Sequence, residues 1–293
     1  MKIAVRITEA PRIVTEYNDG EARRRELADF LRTRRAALNP EDVGLPRGTR
    51  RRTPGLRREE VAQIAGVGTT WYTWLEQARD VRASTEVLDA LASALRLSEA
   101  EHRYLLRLGR GEEEPPPALG EQVSPTTARL IANLGANPAY VLGARWDFLA
   151  YNEATVAVFG DPEEQDPGRR NHVWITFHDP GRRAMMPDWE RTARMVVARF
   201  RAAASRHIGD PAFDRLIAEL HASSPEFRRL WSRHEVVGDV EGRKVILHPV
   251  AGRLVFEHAA FLHGDRPGQR LVLYSPLPDD DTPTKLARLM ADR

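Results

Sequence analysis

The sequence contains no cysteine, which excludes disulfide bonds, thiolate zinc sites and cysteine nucleophiles. It also lacks any run of about 18 apolar residues, and it does not begin with the apolar segment that a secretory signal needs. The missing cysteines agree with a reducing compartment. We therefore expect a cytoplasmic protein without a membrane-spanning segment.

The usual signatures of catalysis are missing as well. No nucleophile elbow, phosphate-binding loop or dinucleotide fingerprint occurs, and the nine histidines form no closely spaced pair of the kind that holds zinc. His172 and His178 with Asp179, for example, are spaced too loosely to form a metal-binding motif. We expect no enzyme, no cofactor and no metal. An enzyme that carries a separate targeting domain stays an alternative interpretation, because missing motifs are weak evidence against catalysis.

Positive charge is concentrated in one part of the chain. The formal net charge is only +2, yet residues 23–58 contain 12 basic and 4 acidic residues, and every basic one is arginine. Arginine binds phosphate oxygens with its planar fork, so this excess favours a polyanionic partner. Biased codon usage is the alternative explanation for so many arginines.

A chain of 293 residues is long enough for two domains. The segment Gly111–Pro117 combines three glutamates with three prolines, a composition typical of a stiff, solvated linker. We predict an N-terminal arm (1–22), a first domain (23–110), a linker (111–122) and a second domain (123–293).

Apolar residues recur at helical spacing five times in the first domain. The pattern predicts helices at 26–38, 57–65, 69–79, 84–96 and 98–109. Ser98 with Glu101 has the spacing of a capping box at the start of the last one. The predicted fold is an all-α bundle of the λ-repressor type.

The stretch Glu59–Glu76 carries the functional inference. Ala62 lies where two crossed helices must approach closely, Gly66 opens the turn, and Tyr72 and Leu75 face the bundle, as in a helix-turn-helix motif. The outward face of the next helix then enters the major groove. The predicted base-reading residues are Thr69, Thr70, Thr73 and Trp74.

Four arginines are predicted to bind phosphates beside this motif. Arg58 opens the first helix of the motif, where backbone amides also face an anion, and the others precede it in a loop. The phosphate candidates are Arg50, Arg51, Arg52 and Arg58. A helical hairpin that does not bind DNA is the alternative. Core packing is the favoured role of Trp71 and Tyr72.

The second domain mixes helices and strands. Strands are predicted near 140–142, 148–151, 244–248, 253–260 and 270–275, and the long amphipathic helix 188–207 lies between the second and the third. Further helices are predicted near 125–133, in a short segment through Phe159, at 211–222 and 225–233, and from Thr282 onwards. This order fits an α+β fold in which helices pack on an antiparallel sheet.

These motifs resemble the Cro/repressor-like (XRE-type) helix-turn-helix regulators, and more narrowly the branch with an MmyB-like C-terminal ligand-binding domain. The segments that carry the resemblance are Arg51–Ala62, Trp71–Gln77, Pro138–Leu142, Asp188–Glu190 and Ser224–His234. The resemblance implies a PAS-like sensor domain for a small, largely apolar ligand such as a fatty acid. Ala78 departs from the family pattern, which has glycine where the recognition helix ends.

Aromatic and methionine side chains are candidates for the wall of a ligand pocket, with a few polar anchors. Filling the core is the alternative role for each of them. The ten candidates are Trp146, Phe148, Asn152, Trp174, Phe177, Met186, Trp189, Arg228, Trp231 and His234.

We therefore expect a transcription regulator that binds double-stranded DNA, and a homodimer, because two recognition helices on a palindrome raise specificity. The alternative is that the second domain is a protein-interaction module without a small ligand. The sequence shows no dimer interface.

Overall fold

A computed structural model describes residues 5–7, 19–46, 55–110, 121–238, 241–264, 266 and 268–291. Residues 111–120 of the predicted linker lie outside this described part, as do Arg50, Arg51 and Arg52. The fold consists of a helical bundle followed by an antiparallel sheet with helices packed against it. Both parts of the predicted fold class, all-α and then α+β, are confirmed.

Among the described residues, five α-helices form the bundle: α1 (Asp19–Ala37), α2 (Arg58–Ala65), α3 (Thr69–Glu76), α4 (Thr85–Ala94) and α5 (Glu99–Arg110). The capping box at the start of α5 is present. The Ser98 amide donates to Glu101 Oε2 at 2.8 Å, and the Glu101 amide donates to Ser98 Oγ at 3.4 Å. Each side chain thus satisfies an amide that has no partner within the helix.

The core of the bundle is formed by the apolar positions that the helical spacing predicted. Phe30 and Leu31 of α1 are fully buried, and the Phe30 ring packs against Tyr104 of α5 with centroids 5.0 Å apart. Gly55, where φ is +78°, lies against the end of α1. A Cβ atom there would lie 2.5 Å from the carbonyl oxygen of Ala36, so only glycine fits.

The second part contains a six-stranded antiparallel sheet with the order β1-β3-β2-β6-β5-β4. The strands are β1 (Val5–Ile7), β2 (Ala139–Leu142), β3 (Phe148–Asn152), β4 (Gly242–His248), β5 (Gly252–Leu262) and β6 (Arg270–Pro276). Tyr140 pairs with Tyr151 of β3 and Val272 of β6, which places β2 in the sheet interior. All four residues of β2 are buried.

In the part of the chain that the structure describes, eight α-helices accompany the sheet: α6 (Pro125–Ala132), α7 (Glu153–Phe159), α8 (His172–His178), α9 (Pro180–Ala184), α10 (Trp189–Ala204), α11 (Pro211–Ser223), α12 (Pro225–Trp231) and α13 (Thr282–Ala291). Helix α10 has a buried face that includes Ala193, Val197 and Phe200. This face joins the main apolar core of the second part. The amphipathic pattern predicted this helix.

The structure differs from the predicted elements at three places. Val5–Ile7, predicted as part of an arm, forms an edge strand beside β3, since a three-residue strand is too short to show a period. Helix α1 begins at Asp19 instead of residue 26. Helices α8 and α9 had no predicted counterpart, because the apolar run in α8 lacks helical periodicity; the Asn171 side chain caps α8.

Candidate nucleic-acid interface and ligand-binding domain

Helices α2 and α3 form the predicted helix-turn-helix. The turn starts at Gly66, whose φ of +68° is the left-handed conformation that glycine adopts freely. Ala62 of α2 and Tyr72 and Leu75 of α3 are buried, so small and apolar side chains occupy the contact between the helices. The amide of Val67 donates to the carbonyl of Ala62 at 2.9 Å and ends α2.

The predicted base-reading residues lie at the solvent side of α3. Thr69 and Thr70 are exposed, and Trp74 is 36% exposed. Thr73 is half-buried, and its hydroxyl donates to the carbonyl of Thr69 at 2.8 Å. The guanidinium of Arg79 lies 5.8 Å from the Trp74 ring centroid. Two hydroxyls and one indole face are therefore open to solvent at this helix.

Helix α3 is held in place by a buried carboxylate that sequence reasoning missed. Glu76 is fully buried; it accepts hydrogen bonds from Arg35 at 2.6 and 3.1 Å and from Arg58 at 2.6 Å. Burial alone would raise the pKa of Glu76, but the bonds from Arg35 and Arg58 outweigh it and lower the pKa. One carboxylate thus links α1, α2 and α3.

The hydrogen bond to Glu76 occupies part of the guanidinium of Arg58, which was a predicted phosphate-binding group. Its Nε is committed to Glu76, while its side chain keeps 41% exposure. Arg57, immediately before α2, is exposed. It was not among the predicted phosphate-binding residues, although its position at the same helix start was a usable signal. The other predicted phosphate contacts, Arg50, Arg51 and Arg52, lie outside the described residues.

Ala78 ends helix α3 in the left-handed conformation, with φ of +56°. The amide of Arg79 donates to the carbonyl of Trp74 at 3.0 Å, and the amide of Ala78 donates to that of Leu75 at 3.1 Å. This pair of bonds is the Schellman motif, which usually has glycine at the position of Ala78. The helix therefore ends as in the family pattern, with an alanine in a conformation that strains its Cβ.

We expect the substitution Ala78→Gly to stabilise the protein by about 1 kcal/mol, because it removes the left-handed strain of an L-residue. Urea unfolding followed by circular dichroism measures this change. Ala65→Gly, inside α2 one residue before the turn, is the matched control and should destabilise by about 0.5–1 kcal/mol. Equal destabilisation by both substitutions would contradict the strain at Ala78.

The predicted ligand-pocket residues fall into separate groups. Trp146 and Phe148 are buried around His172, with ring centroids 5.7 and 6.0 Å from the imidazole. Phe177 and Trp189 pack edge to face at 5.7 Å, and Phe177 also contacts Phe227. These rings fill the interior by contacting one another, as aromatic core residues do.

The remaining apolar candidates are Trp231, Trp174 and Met186. Trp231 stacks on Phe227 with centroids 5.4 Å apart. The Trp174 ring stacks on His178 at 3.9 Å. Met186 is half-buried, after α9. The structure thus brings Phe177 and Trp231 against Phe227 and packs Trp189 on Phe177, while Trp174 packs on His178.

The three polar candidates make different contacts. Asn152 is buried, accepts the amide protons of Ala139 and Thr155, and donates to two backbone carbonyls. Arg228 is exposed and donates to the carbonyl of His221 at 3.1 Å. His234 lies at the contact between the two parts of the fold, with Nδ1 3.3 Å from Glu26 Oε1.

Glu26 of α1 is the centre of that contact. It pairs with Arg201 of α10 and accepts a hydrogen bond from Tyr104 at 2.5 Å. Burial alone would raise the pKa of Glu26, but His234 and Arg201 outweigh it and lower the pKa to about 2. Arg201 is 1% exposed and lies 3.9 Å from the Trp231 ring centroid. Sequence reasoning missed this pair because its members are far apart in the chain.

Positive charge also surrounds the buried imidazole of His172. Burial, followed by the nearby cations Arg182, Lys244, Arg270 and Arg199, holds the pKa of His172 well below its usual range. A neutral imidazole is the form that this site favours. Within the described ranges, no group of three or more histidine, aspartate or glutamate side chains is arranged to hold a metal ion.

Comparisons with known proteins agree with these two parts. Residues 26–105 match a family described as a helix-turn-helix domain, and residues 123–289 match the MmyB-like transcription regulator ligand binding domain. The chain is a DNA-binding transcriptional regulator. It belongs to the family with the MmyB-like ligand-binding domain, whose match covers more than half of its residues. No curated protein matches the chain.

None of the helices in the described ranges has the length and apolar character needed to cross a membrane.

Proposed function

We propose that the protein is a sequence-specific, XRE-type regulator that reads double-stranded DNA with the outward face of α3. The observation that carries the proposal is the exposure of Thr69 and Thr70 at the N-terminal end of a helix whose opposite side is buried. That end of a recognition helix contacts base edges in the major groove. Trp74 and Thr73 extend the same surface by one turn.

Arginines beside the motif supply affinity that does not depend on sequence. Arg57 is exposed at the start of α2, and Arg50, Arg51 and Arg52 precede it in the chain. Phosphate contacts set the position of a protein on DNA, whereas base contacts set its specificity. Threonine and tryptophan make few directional bonds to bases, so DNA shape contributes to the choice of site.

Two substitutions should distinguish the base contacts from the phosphate contacts. Thr70→Ala should lower the preference for the best site over random duplex about tenfold and leave the salt dependence unchanged. Arg51→Ala should weaken binding to all duplexes and lower the slope of log K against log salt by about 1. Fluorescence anisotropy at several salt concentrations measures both quantities.

Matched controls come from the second domain. Thr126 and Arg129 are exposed on α6, so Thr126→Ala and Arg129→Ala should bind DNA like the unmodified protein. If Thr70→Ala bound every sequence as well as the parent does, α3 would not be the reading surface.

The proposed role of the C-terminal part is to sense a small, largely apolar ligand, such as a fatty acid, in a PAS-like fold. The membership in a family of ligand-binding domains and the aromatic interior around Phe227 support this proposal. A homodimer in the cytoplasm that binds a palindrome is the proposed active form, since paired recognition helices read two half-sites. The proposed domain limits remain 23–110 and 123–293, joined by the linker 111–122.

A protein-interaction module is the second candidate for this part. Phe261 and Leu262, which are adjacent at the end of β5, are 51% and 54% exposed. Exposed apolar side chains of this kind favour a protein contact when they are contiguous.

Native mass spectrometry distinguishes the two candidates. A bound small molecule that is released only on denaturation supports the sensor. A clean protein mass, with another protein copurifying and dependent on Phe261, contradicts it.

A further inference from the structure

The guanidinium group of Arg182, on α9, is buried without a partner. Arg182 is 8% exposed, and its guanidinium carbon lies 4.8 Å from the centroid of the Phe159 ring. Within the described ranges, this guanidinium makes no hydrogen bond and no ion pair; the bond of Arg182 to Asp179 Oδ1, at 3.0 Å, comes from its backbone amide. A buried charge without a partner is costly, and an anion placed beside it removes part of that cost. Arg182 therefore has unused hydrogen-bond donors in the protein interior.

A second cation, Lys244 of β4, lies on the same side of the sheet. Lys244 is partly buried and pairs in register with Phe256 of β5, whose side chain belongs to the main apolar core. Ile246, two residues along the strand and therefore on the same face, is fully buried. The end of α9 reaches this strand, because the amide of Leu247 donates to the carbonyl of Met185 at 2.8 Å. In the part of the chain that the structure describes, no acid pairs with Lys244.

Polar groups with unused capacity lie beside these cations. The hydroxyls of Tyr140 and Tyr274 are 3.3 Å apart, so one hydroxyl proton joins them and the other is left to donate elsewhere. The Tyr274 ring packs on Phe159, the ring that also contacts Arg182, with centroids 5.0 Å apart. Nδ1 of His172 is buried without a hydrogen-bond partner among the described residues, and the imidazole stacks on Tyr140 at 6.2 Å.

The pKa of His172 agrees with this arrangement. Burial lowers that pKa most, and Arg182 and then Lys244 are the nearby charges that lower it further. Both cations therefore act on the same imidazole, from a helix and from a strand. Burial also lowers the pKa of Arg182 itself. We call this group of side chains the cationic site: Arg182, Lys244, Tyr140 and Tyr274.

We propose that the cationic site binds the anionic head group, a carboxylate or a phosphate, of the ligand that the C-terminal part senses. Guanidinium holds either group through two parallel N–H bonds, and the remaining tyrosine proton adds a third donor. The buried aromatic rings around the site suit an apolar ligand body. The inference rests on the proposed sensor function and adds Arg182 as the residue that selects an acidic ligand over a neutral one.

Isothermal titration of the full chain, without DNA and freed of copurified small molecules, tests the proposal. Three probes with the same alkyl chain are compared below their critical micelle concentrations: sodium decanoate, monodecyl phosphate and 1-decanol. We expect at least one of the two anions to bind about tenfold or more tightly than 1-decanol, because charged hydrogen bonds to Arg182 replace none in the alcohol. Binding of decanoate alone identifies a carboxylate ligand, and binding of monodecyl phosphate alone identifies a phosphate.

Arg182→Met removes the charge and keeps apolar contact with Phe159. It should weaken binding of the anion about tenfold or more and leave the affinity for 1-decanol unchanged. The ligand-free variant should also melt about 2–4 °C higher than the parent, because it no longer buries an unpaired charge. An arginine with a merely structural role would instead lower the melting temperature and weaken all three probes. Arg183→Met, at the next and exposed position of α9, is the matched control and should bind like the parent.

A second variant keeps the proposal testable if Arg182→Met does not fold. Lys244→Met, at a partly buried position on the edge strand β4, should then weaken anion binding at least threefold and spare 1-decanol. The proposal is overturned if no anion binds, if the variant that folds binds anions like the parent, or if 1-decanol binds as tightly as they do. Tight binding of 1-decanol would leave the sensor function standing, whereas failure of all three probes to bind would count against both.

Discussion

Glu76→Ala is expected to lower the free energy of unfolding of the helical bundle by about 3–5 kcal/mol, the cost of removing one partner of a buried ion pair. Arg35 would lose its carboxylate partner while its side chain remains only 15% exposed. Arg58 would lose the bond that its Nε makes. DNA binding should disappear together with the near-ultraviolet circular dichroism of Trp71 and Trp74, because α3 loses its attachment to α1 and α2.

The loss is expected to follow from the charge and not from the shape of the side chain. Glu76→Gln keeps the size of the side chain but removes its charge, so it should lose most of the stability that Glu76→Ala loses, whereas Glu59→Ala, at an exposed position on α2, should change it by at most about 0.5 kcal/mol. Urea unfolding of the three variants gives the comparison. A Glu76→Ala protein as stable as Glu59→Ala would show that α3 is held by apolar contacts alone.

Arg201→Met is expected to have the second large effect, a loss of about 3 kcal/mol together with separate unfolding of the two parts of the chain. The methionine keeps apolar contact with Trp231 but leaves Glu26 without its main cationic partner. Calorimetry should show the bundle melting at a lower temperature than the sheet. Arg194→Met, on the exposed side of the same helix, is the control and should change stability by less than about 1 kcal/mol, since surface ion pairs contribute little.

The Glu26–Arg201 ion pair also predicts how the free energy of unfolding depends on pH. The pKa of Glu26 is lowered to about 2 in the folded protein from 4.5, so the unfolded chain takes up the proton first as the pH falls. The stability due to ionised Glu26 is complete above about pH 4.5 and is lost as the pH falls towards 2; it is on the order of 3 kcal/mol. Arg201→Met should reduce this loss of stability between pH 4.5 and 2. An identical dependence of stability on pH in the parent and the variant would contradict the assignment of the Glu26–Arg201 ion pair.

The sequence predicted the elements whose signals are local. Helical spacing and caps located α2, α3 and α5, and small residues identified Gly66 and Ala62 as the turn and the close contact. The C-terminal strands β4 to β6 were also anticipated, because each is a short apolar run between turn residues. Such signals depend on neighbours within one or two turns, so one sequence suffices to detect them.

Contacts between distant segments were not predictable in this way. Glu26 appeared as one more acid in a basic helix, and its partners Arg201 and His234 lie in another domain. Asn152 was predicted as a ligand anchor, and its amide group bonds to five groups within the fold. A polar residue in an apolar segment signals burial, but only the fold shows whether backbone or ligand satisfies it.

Selection of bound duplexes from a random library tests the central claim most directly. A sequence-specific regulator that reads DNA with α3 should enrich one motif, made of two related half-sites whose centres are separated by about one helical turn, 10–10.5 base pairs, or a multiple of it. Thr70→Ala should alter the enriched bases, and Thr126→Ala should not. Recovery of no motif by the folded protein, with equal affinity for every duplex, would contradict the claim.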